Sequence, residues 1–235
     1  MLIGRKTIGT CAYLGGLMSI PEPFVYSWQQ MIEYNSEYLV DSKTRINYTR
    51  AKVSYHSFAR NTLVEQIHGD WLLQLDTDVV FEPDLLARML LKMDKFGIDV
   101  LTAPYLYKSE PHPPVMYGYN PKTKSKFIMG DWDKKADLIP IRGAGAGALL
   151  VRRSVFDNIQ CKLGESPFDI WYSKETGPLS EDHSFFERCW KLKIRCYAAP
   201  DITVKHLIYK ELDVYKDYQK EGLTIGKKID PFWKK

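Results

Sequence analysis

Apolar and polar positions along this chain switch repeatedly between a short period and a helical one. Lys6 to Tyr13 reads as a first strand leaving into a Gly15–Gly16 turn. From Pro23 to Tyr38, Phe24, Trp28, Met31 and Ile32 recur every three or four residues, which predicts a helix. Lys43 to Val53 reads as a short strand, and Ser57 to His68 as a second helix carrying Phe58, Leu63, Val64 and Ile67. Trp71 to Leu75 is a short apolar run, as expected of a strand buried on both faces. Pro83 opens the next helix, because its fixed φ suits a first helical turn; Gly97 closes it in a left-handed cap. Between them Leu85, Leu86, Met89, Leu90 and Met93 keep helical spacing. Ile98 to Ala103 returns as a strand, so this stretch predicts a strand–helix–strand parallel crossover.

Beyond Pro104 the pattern loosens. Pro104 to Asp137 is loop-rich, with Tyr105, Tyr107, Tyr117 and Tyr119 standing among prolines, and so long an insertion suggests a functional loop. Ala148 to Val151 reads as a strand after a glycine cluster. Ser180 is placed to cap a helix reaching about Leu192, with Phe185, Phe186, Cys189 and Trp190 on its inner face. Arg195 to Ala199 reads as a last short strand, and a lysine-rich tail follows Leu207. Alternating strands and helices predict an α/β fold with a mostly parallel central sheet flanked by helices.

Composition narrows the classes. The chain has 235 residues, 45% of them apolar, enough for a sizeable core and against global disorder. A net charge of +4 permits an anionic ligand and falls short of a dedicated nucleic-acid binder. Cys11, Cys161, Cys189 and Cys196 show neither a C-x-x-C pair nor zinc spacing, which suits reduced thiols in a cytoplasm. No run of about 18 apolar residues is present, so no integral membrane contact is expected.

The chemistry concentrates at "LLQLDTDVVFEPDLL". Asp76 and Asp78 stand where a buried strand ends, the place where open α/β sheets bind ligands. Two carboxylates there, with no sequence-near Lys or Arg, call for a cation, and Mg²⁺ or Mn²⁺ suits them. The alternative for an isolated D-x-D is a solvated turn.

This segment resembles the D-x-D signature of GT-A-fold glycosyltransferases, and the wider chain is similar to family-2-like members. "SYHSFARNTLVEQIHGDWLL" resembles their Arg-Asn segment, here Arg60 and Asn61. "GAGAGALLVRRSVF" resembles their glycine-rich acceptor-side segment, here Gly143, Gly145 and Gly147. "LSEDHSFFERCWKLKIRCYAAPDITVKHL" resembles their Glu-Asp helix followed by a late histidine, here Glu181, Asp182 and His206. The resemblance implies a Rossmann-like catalytic domain over 1–207, with a nucleotide-binding half 1–103, an acceptor-side half 104–207, and the tail 208–235 outside it. "KLKIRCY" lacks the glycine often found after the helix, and the chain stops soon after His206. That departure favours a small, stand-alone soluble transferase over a polymerising synthase.

By resemblance, Asp78 is the direct metal ligand, Asp76 lies nearer the ribose or the metal's waters, and His206 is the second protein ligand. Asp182 is then the general base of an inverting, single-displacement transfer, and Glu181 positions a hydroxyl. Arg60 holds a phosphate or a site carboxylate; Thr10 and Asn61 lie on the nucleotide side, and Gly145 lets backbone approach a ligand. The donor implied is a nucleotide sugar, UDP-sugar preferred. The acceptor is left open among a saccharide, a glycolipid, a protein and a modified nucleobase. Taken singly, each residue has a plainer alternative: first-turn helix acids for Glu181 and Asp182, a surface arginine for Arg60, strand packing for Thr10, a backbone-bonded histidine for His206, and ordinary packing for Trp132 and Trp171. Two rival functions stand beside this one. A haloacid-dehalogenase-type phosphotransferase would use Asp76 as nucleophile, although residues 1–70, with their own strand and helices, precede the motif. A non-catalytic sugar or nucleic-acid binder would use the tyrosine-rich loop and the tail.

Overall fold

The computed structural model describes residues 6–208 except 16–19, 53–54, 124, 131–132, 134, 174–176 and 203. Trp132 and nearly all of the lysine-rich tail therefore lie outside the described residues. In chain order the elements are β1 (Lys6–Gly15), α1 (Glu22–Tyr38), β2 (Thr44–Lys52), α2 (His56–Glu65), β3 (Trp71–Asp76), β4 (Val79–Val80), α3 (Leu85–Phe96) and β5 (Val100–Thr102). Then come β6 (Met116–Asn120), β7 (Ser125–Ile128), β8 (Ile139–Ile141), β9 (Gly143–Ala144), β10 (Ala148–Arg152), α4 (Arg153–Leu163), β11 (Tyr172–Ser173), β12 (Gly177–Pro178), α5 (Glu181–Lys191), β13 (Cys196–Ala198) and β14 (Lys205–His206).

Seven strands form the central sheet in the order β2-β1-β3-β10-β5-β13-β8. β2, β1, β3, β5 and β13 run one way; β10 and β8 run against them. The fold is thus α/β with a mostly parallel sheet, as the alternating pattern predicts. The strand–helix–strand unit β3-α3-β5 is present, but β10 is inserted antiparallel between its two strands. Both halves of the chain therefore build one sheet.

Period-2 alternation sorts β3 between two cores. Trp71, Leu73 and Leu75 join the core under α1 and α3. Leu72 joins the core under α2, α4 and α5. Gln74 takes the same face as Leu72 and meets Arg60 of α2. Asp76 follows in phase, so β3 delivers its terminal carboxylate to that arginine.

Several expectations need correction. Ser180 occupies the N-cap position of α5 without a side-chain cap bond; Asp182 Oδ1 instead accepts from the His183 amide at 2.7 Å. Trp190, expected on the inner face of α5, is 54% exposed. Helix α4 went unread, and so did the hairpin β6–β7 inside the stretch expected to be loop. No helix among the described residues is long and apolar enough to cross a membrane.

Candidate active site

At the carboxyl end of β3, Arg60 is the hub. Its side chain is 3% exposed, and its Nη2 reaches both oxygens of Asp76, at 2.9 and 3.2 Å. Its Nε donates to Glu181 Oε1 at 3.2 Å. Its Nη1 donates to Gln74 Oε1 and to the Ala146 carbonyl, each at 3.3 Å. One planar fork thus ties α2, β3, the glycine segment and the start of α5 into one unit. Burial alone would disfavour the guanidinium charge, but Asp76 and then Glu181 outweigh it and raise the Arg60 pKa. The sequence leaves these acids without a near partner; the fold supplies one from far along the chain. Asp76, expected near the metal, has both oxygens on Arg60.

Asp78 lies two residues further, in the turn between β3 and β4. The two-residue ribbon β4–β14 pairs Val79 with His206, and the Leu207 amide donates to the Asp78 carbonyl at 2.7 Å. That pairing sets His206 Nε2 3.3 Å from Asp78 Oδ2. The same carboxylate oxygen receives Lys108 Nζ at 2.5 Å. Burial pushes the Asp78 carboxyl up, but the Lys108 hydrogen bond and charge, with His206, hold it below its ordinary value.

These atoms fit a divalent cation. His206 Nδ1 lies 2.7 Å from the Leu106 carbonyl, which only accepts, so Nδ1 carries a proton. Nε2 is then the nitrogen that faces Asp78 Oδ2 at 3.3 Å, and an imidazole nitrogen beside a carboxylate oxygen is a donor set that suits a divalent cation. Adjacent ligands of one octahedral ion at ~2.1 Å stand about 3 Å apart, close to the separation found. Among the described residues no group of three or more His, Cys, Asp or Glu side chains converges as a metal cluster. If an ion binds here, Asp78 and His206 are the two side chains placed to hold it.

The other expected residues divide. Asp182 opens α5; its Oδ1 accepts from the His183 amide at 2.7 Å and from the Ser180 hydroxyl. Glu181 joins the hub through Arg60. Thr10 lies inside β1, fully buried, with its hydroxyl bonded to the His68 backbone at 2.8 and 2.9 Å. Asn61 holds a loop, bonding the Phe168 amide at 2.9 Å and Asp169 at 2.8 Å. A Cβ at Gly145 would lie 2.0 Å from Tyr105 Oη, so the space above this glycine is filled by a tyrosine ring.

Some neighbours went unread in the sequence. Tyr13, Trp28, Tyr48, Thr49 and Arg50 line a cavity of about 290 Å³ beside the ends of β1 and β2. Tyr13 and Trp28 meet edge to face with centroids 5.0 Å apart. His183 meets the Tyr117 ring edge to face at 4.5 Å. Their only signal was aromatic spacing, which core packing explains equally well.

An α/β sheet that carries polar side chains at the carboxyl ends of its strands presents them where sheets of this kind bind ligands. The family described as Glycosyl transferase family 2 matches residues 28–159, more than half of the chain. The chain belongs to that family, and its fold is of the GT-A type. No curated protein matches it. Among solved structures it is similar to A197 from STIV (17% identity, TM-score 0.50), covering 87% of this chain and 96% of that one. It is also similar to GalNAc-T7, solved with UDP, GalNAc and Mn²⁺ (11% identity, TM-score 0.56). That match covers 88% of this chain but only 44% of GalNAc-T7, so the present chain corresponds to less than half of that protein. At such identities the likeness concerns the fold.

Proposed function

We propose that this glycosyltransferase moves a sugar from a nucleotide-sugar donor, UDP-sugar preferred, to an acceptor hydroxyl, in a metal-dependent, inverting single displacement. The observation that carries the reading is the convergence of Asp78 Oδ2 and His206 Nε2 at the tip of β3. The GalNAc-T7 fold neighbour, solved with UDP, GalNAc and Mn²⁺, supports the choice of donor and metal.

Asp78 and His206 would hold Mn²⁺ or Mg²⁺. When bound, the ion supplies Lewis-acid neutralisation of the departing nucleoside diphosphate. Arg60 fixes Asp76 so that its carboxylate faces the ribose side of the crevice. Tyr13 and its cavity partners give the nucleobase an aromatic seat. Asp182 is the base. As the acceptor oxygen bonds to the anomeric carbon and the carbon–phosphate oxygen bond breaks, the acceptor proton passes to Asp182 Oδ2. The two bonds at Oδ1 hold the carboxylate in place for that transfer. Glu181, anchored on Arg60, is placed to orient the acceptor. Residues 1–103 serve the donor and 104–207 the acceptor, which is a saccharide, a glycolipid, a protein or a modified nucleobase. The four cysteines are free thiols, which supports the cytoplasm as the place of action. The phosphotransferase alternative is less well supported, because Arg60 holds the Asp76 carboxylate in an ion pair that lowers its nucleophilicity.

The test is a panel of nucleotide sugars with Mn²⁺, read by thermal shift and by slow release of nucleoside diphosphate. One donor is expected to bind and hydrolyse only with metal. Asp78→Asn should lose both signals, whereas Asp182→Asn should keep donor binding and lose transfer. Full transfer by the Asp182 variant removes it as base, and a panel with no metal-dependent binder defeats the assignment.

A further inference from the structure

The oxygen assigned to the metal already carries a cation. Lys108 Nζ sits 2.5 Å from Asp78 Oδ2, the oxygen that also faces His206 Nε2 at 3.3 Å. Lys108 belongs to neither helix nor strand, yet the loop that presents it is tied down on several sides. The Leu106 carbonyl takes His206 Nδ1 at 2.7 Å, and Leu106 bridges to Pro114. The Tyr107 amide donates to the Pro113 carbonyl at 2.8 Å, and the Tyr107 carbonyl meets His112 Nδ1 at 2.9 Å. The Tyr107 hydroxyl is hydrogen-bonded to that of Tyr117. The backbone thus aims Lys108 at Asp78, while its side chain stays 46% exposed and keeps a flexible four-carbon stem.

An ammonium and a divalent ion on one carboxylate oxygen repel each other, so the two compete for it. A metal arriving alone must therefore exchange one cation for another and leave Lys108 without a counter-ion. A metal arriving with a diphosphate brings new anionic oxygens for the displaced ammonium. We propose that Lys108 is the resident counter-ion of Asp78, that metal and donor displace it together, and that its ammonium then pairs with the donor phosphates. This rests on the metal-dependent reading given above. It makes Lys108 a donor-binding residue and makes metal and nucleotide affinities reciprocal, each raising the other.

The experiment is a Mn²⁺ titration of the full chain, following the free ion by electron paramagnetic resonance, with and without UDP. Wild type, Lys108→Met and Lys108→Arg are compared, and thermal melts confirm that each variant folds. Wild type should bind Mn²⁺ weakly alone and more tightly with UDP. Lys108→Met should bind Mn²⁺ alone ~tenfold more tightly, bind UDP less well, and lose most of the coupling. Lys108→Arg, which keeps the charge, should follow wild type. Equal Mn²⁺ affinity in wild type and Lys108→Met, with coupling intact, overturns the role of Lys108 while the metal site stands. Absence of Mn²⁺ binding in every variant, with or without UDP, overturns the metal site and this inference together.

Discussion

Arg60 holds the site together at the scale of single residues. It is 3% exposed on its side chain and bonds two acids that are themselves largely covered, Asp76 at 26% and Glu181 at 18%. Removing one member of such a group leaves the others charged and unpaired, which costs more than the pair contributes. Arg60→Met is expected to lower stability by about 3 kcal/mol, read by denaturant melts. A melt indistinguishable from wild type would contradict the hub. The residues of this group were legible only through resemblance, because each alone has an ordinary structural use. Lys108 was not legible at all. It lies 30 residues from Asp78 in a stretch without periodicity, and only the folded loop brings the two together.

At the scale of elements, the glycine segment packs against its neighbour. Tyr105 Oη accepts from the Gly147 amide at 3.2 Å and lies where a Gly145 side chain would begin. Gly145→Ala is expected to cost about 2 kcal/mol by overpacking, and much less in a Tyr105→Leu background. Double-mutant thermal melts check this; an equal cost in both backgrounds would place the constraint elsewhere. The long elements β1, α1, α3 and α5 were legible because ten or so residues of consistent pattern outvote local noise, and the shorter β3 because most of its residues are apolar. Two-residue strands such as β4 and β14 have no period to read, yet their pairing is what carries His206 to Asp78. Helix α4 begins directly after β10, with no turn residue between them to mark the change of period.

Across the whole molecule, the α/β class followed from the alternation of elements, but the strand order did not. β10 enters the middle of the sheet from the second half of the chain, a long-range pairing that no local pattern encodes. Two groups contribute to the pH dependence of the assembled molecule in separate windows. Burial lowers the His183 pKa more than Asp182 and its other acidic neighbours raise it. Below the ordinary imidazole value, near about 6.5, the unfolded chain binds that proton more readily, so stability falls as pH falls. The Asp78 carboxyl is held below its ordinary value, so its contribution is complete above about 3.9 and is lost as pH drops through the folded-state value. His183→Gln should flatten the stability profile in the upper window and leave the lower one unchanged, as melts across pH will show. An unchanged slope below about 6.5 would rule His183 out.

The central claim, that the tip of β3 holds a metal-bound nucleotide, is tested most directly by anomalous diffraction at the manganese edge from crystals soaked with Mn²⁺ and UDP. The account predicts one peak bonded to both Asp78 Oδ2 and His206 Nε2, with Lys108 moved off Asp78 and onto phosphate. A nucleotide bound with no peak there would contradict it, whereas a peak with Lys108 still seated on Asp78 would contradict only the role given to Lys108.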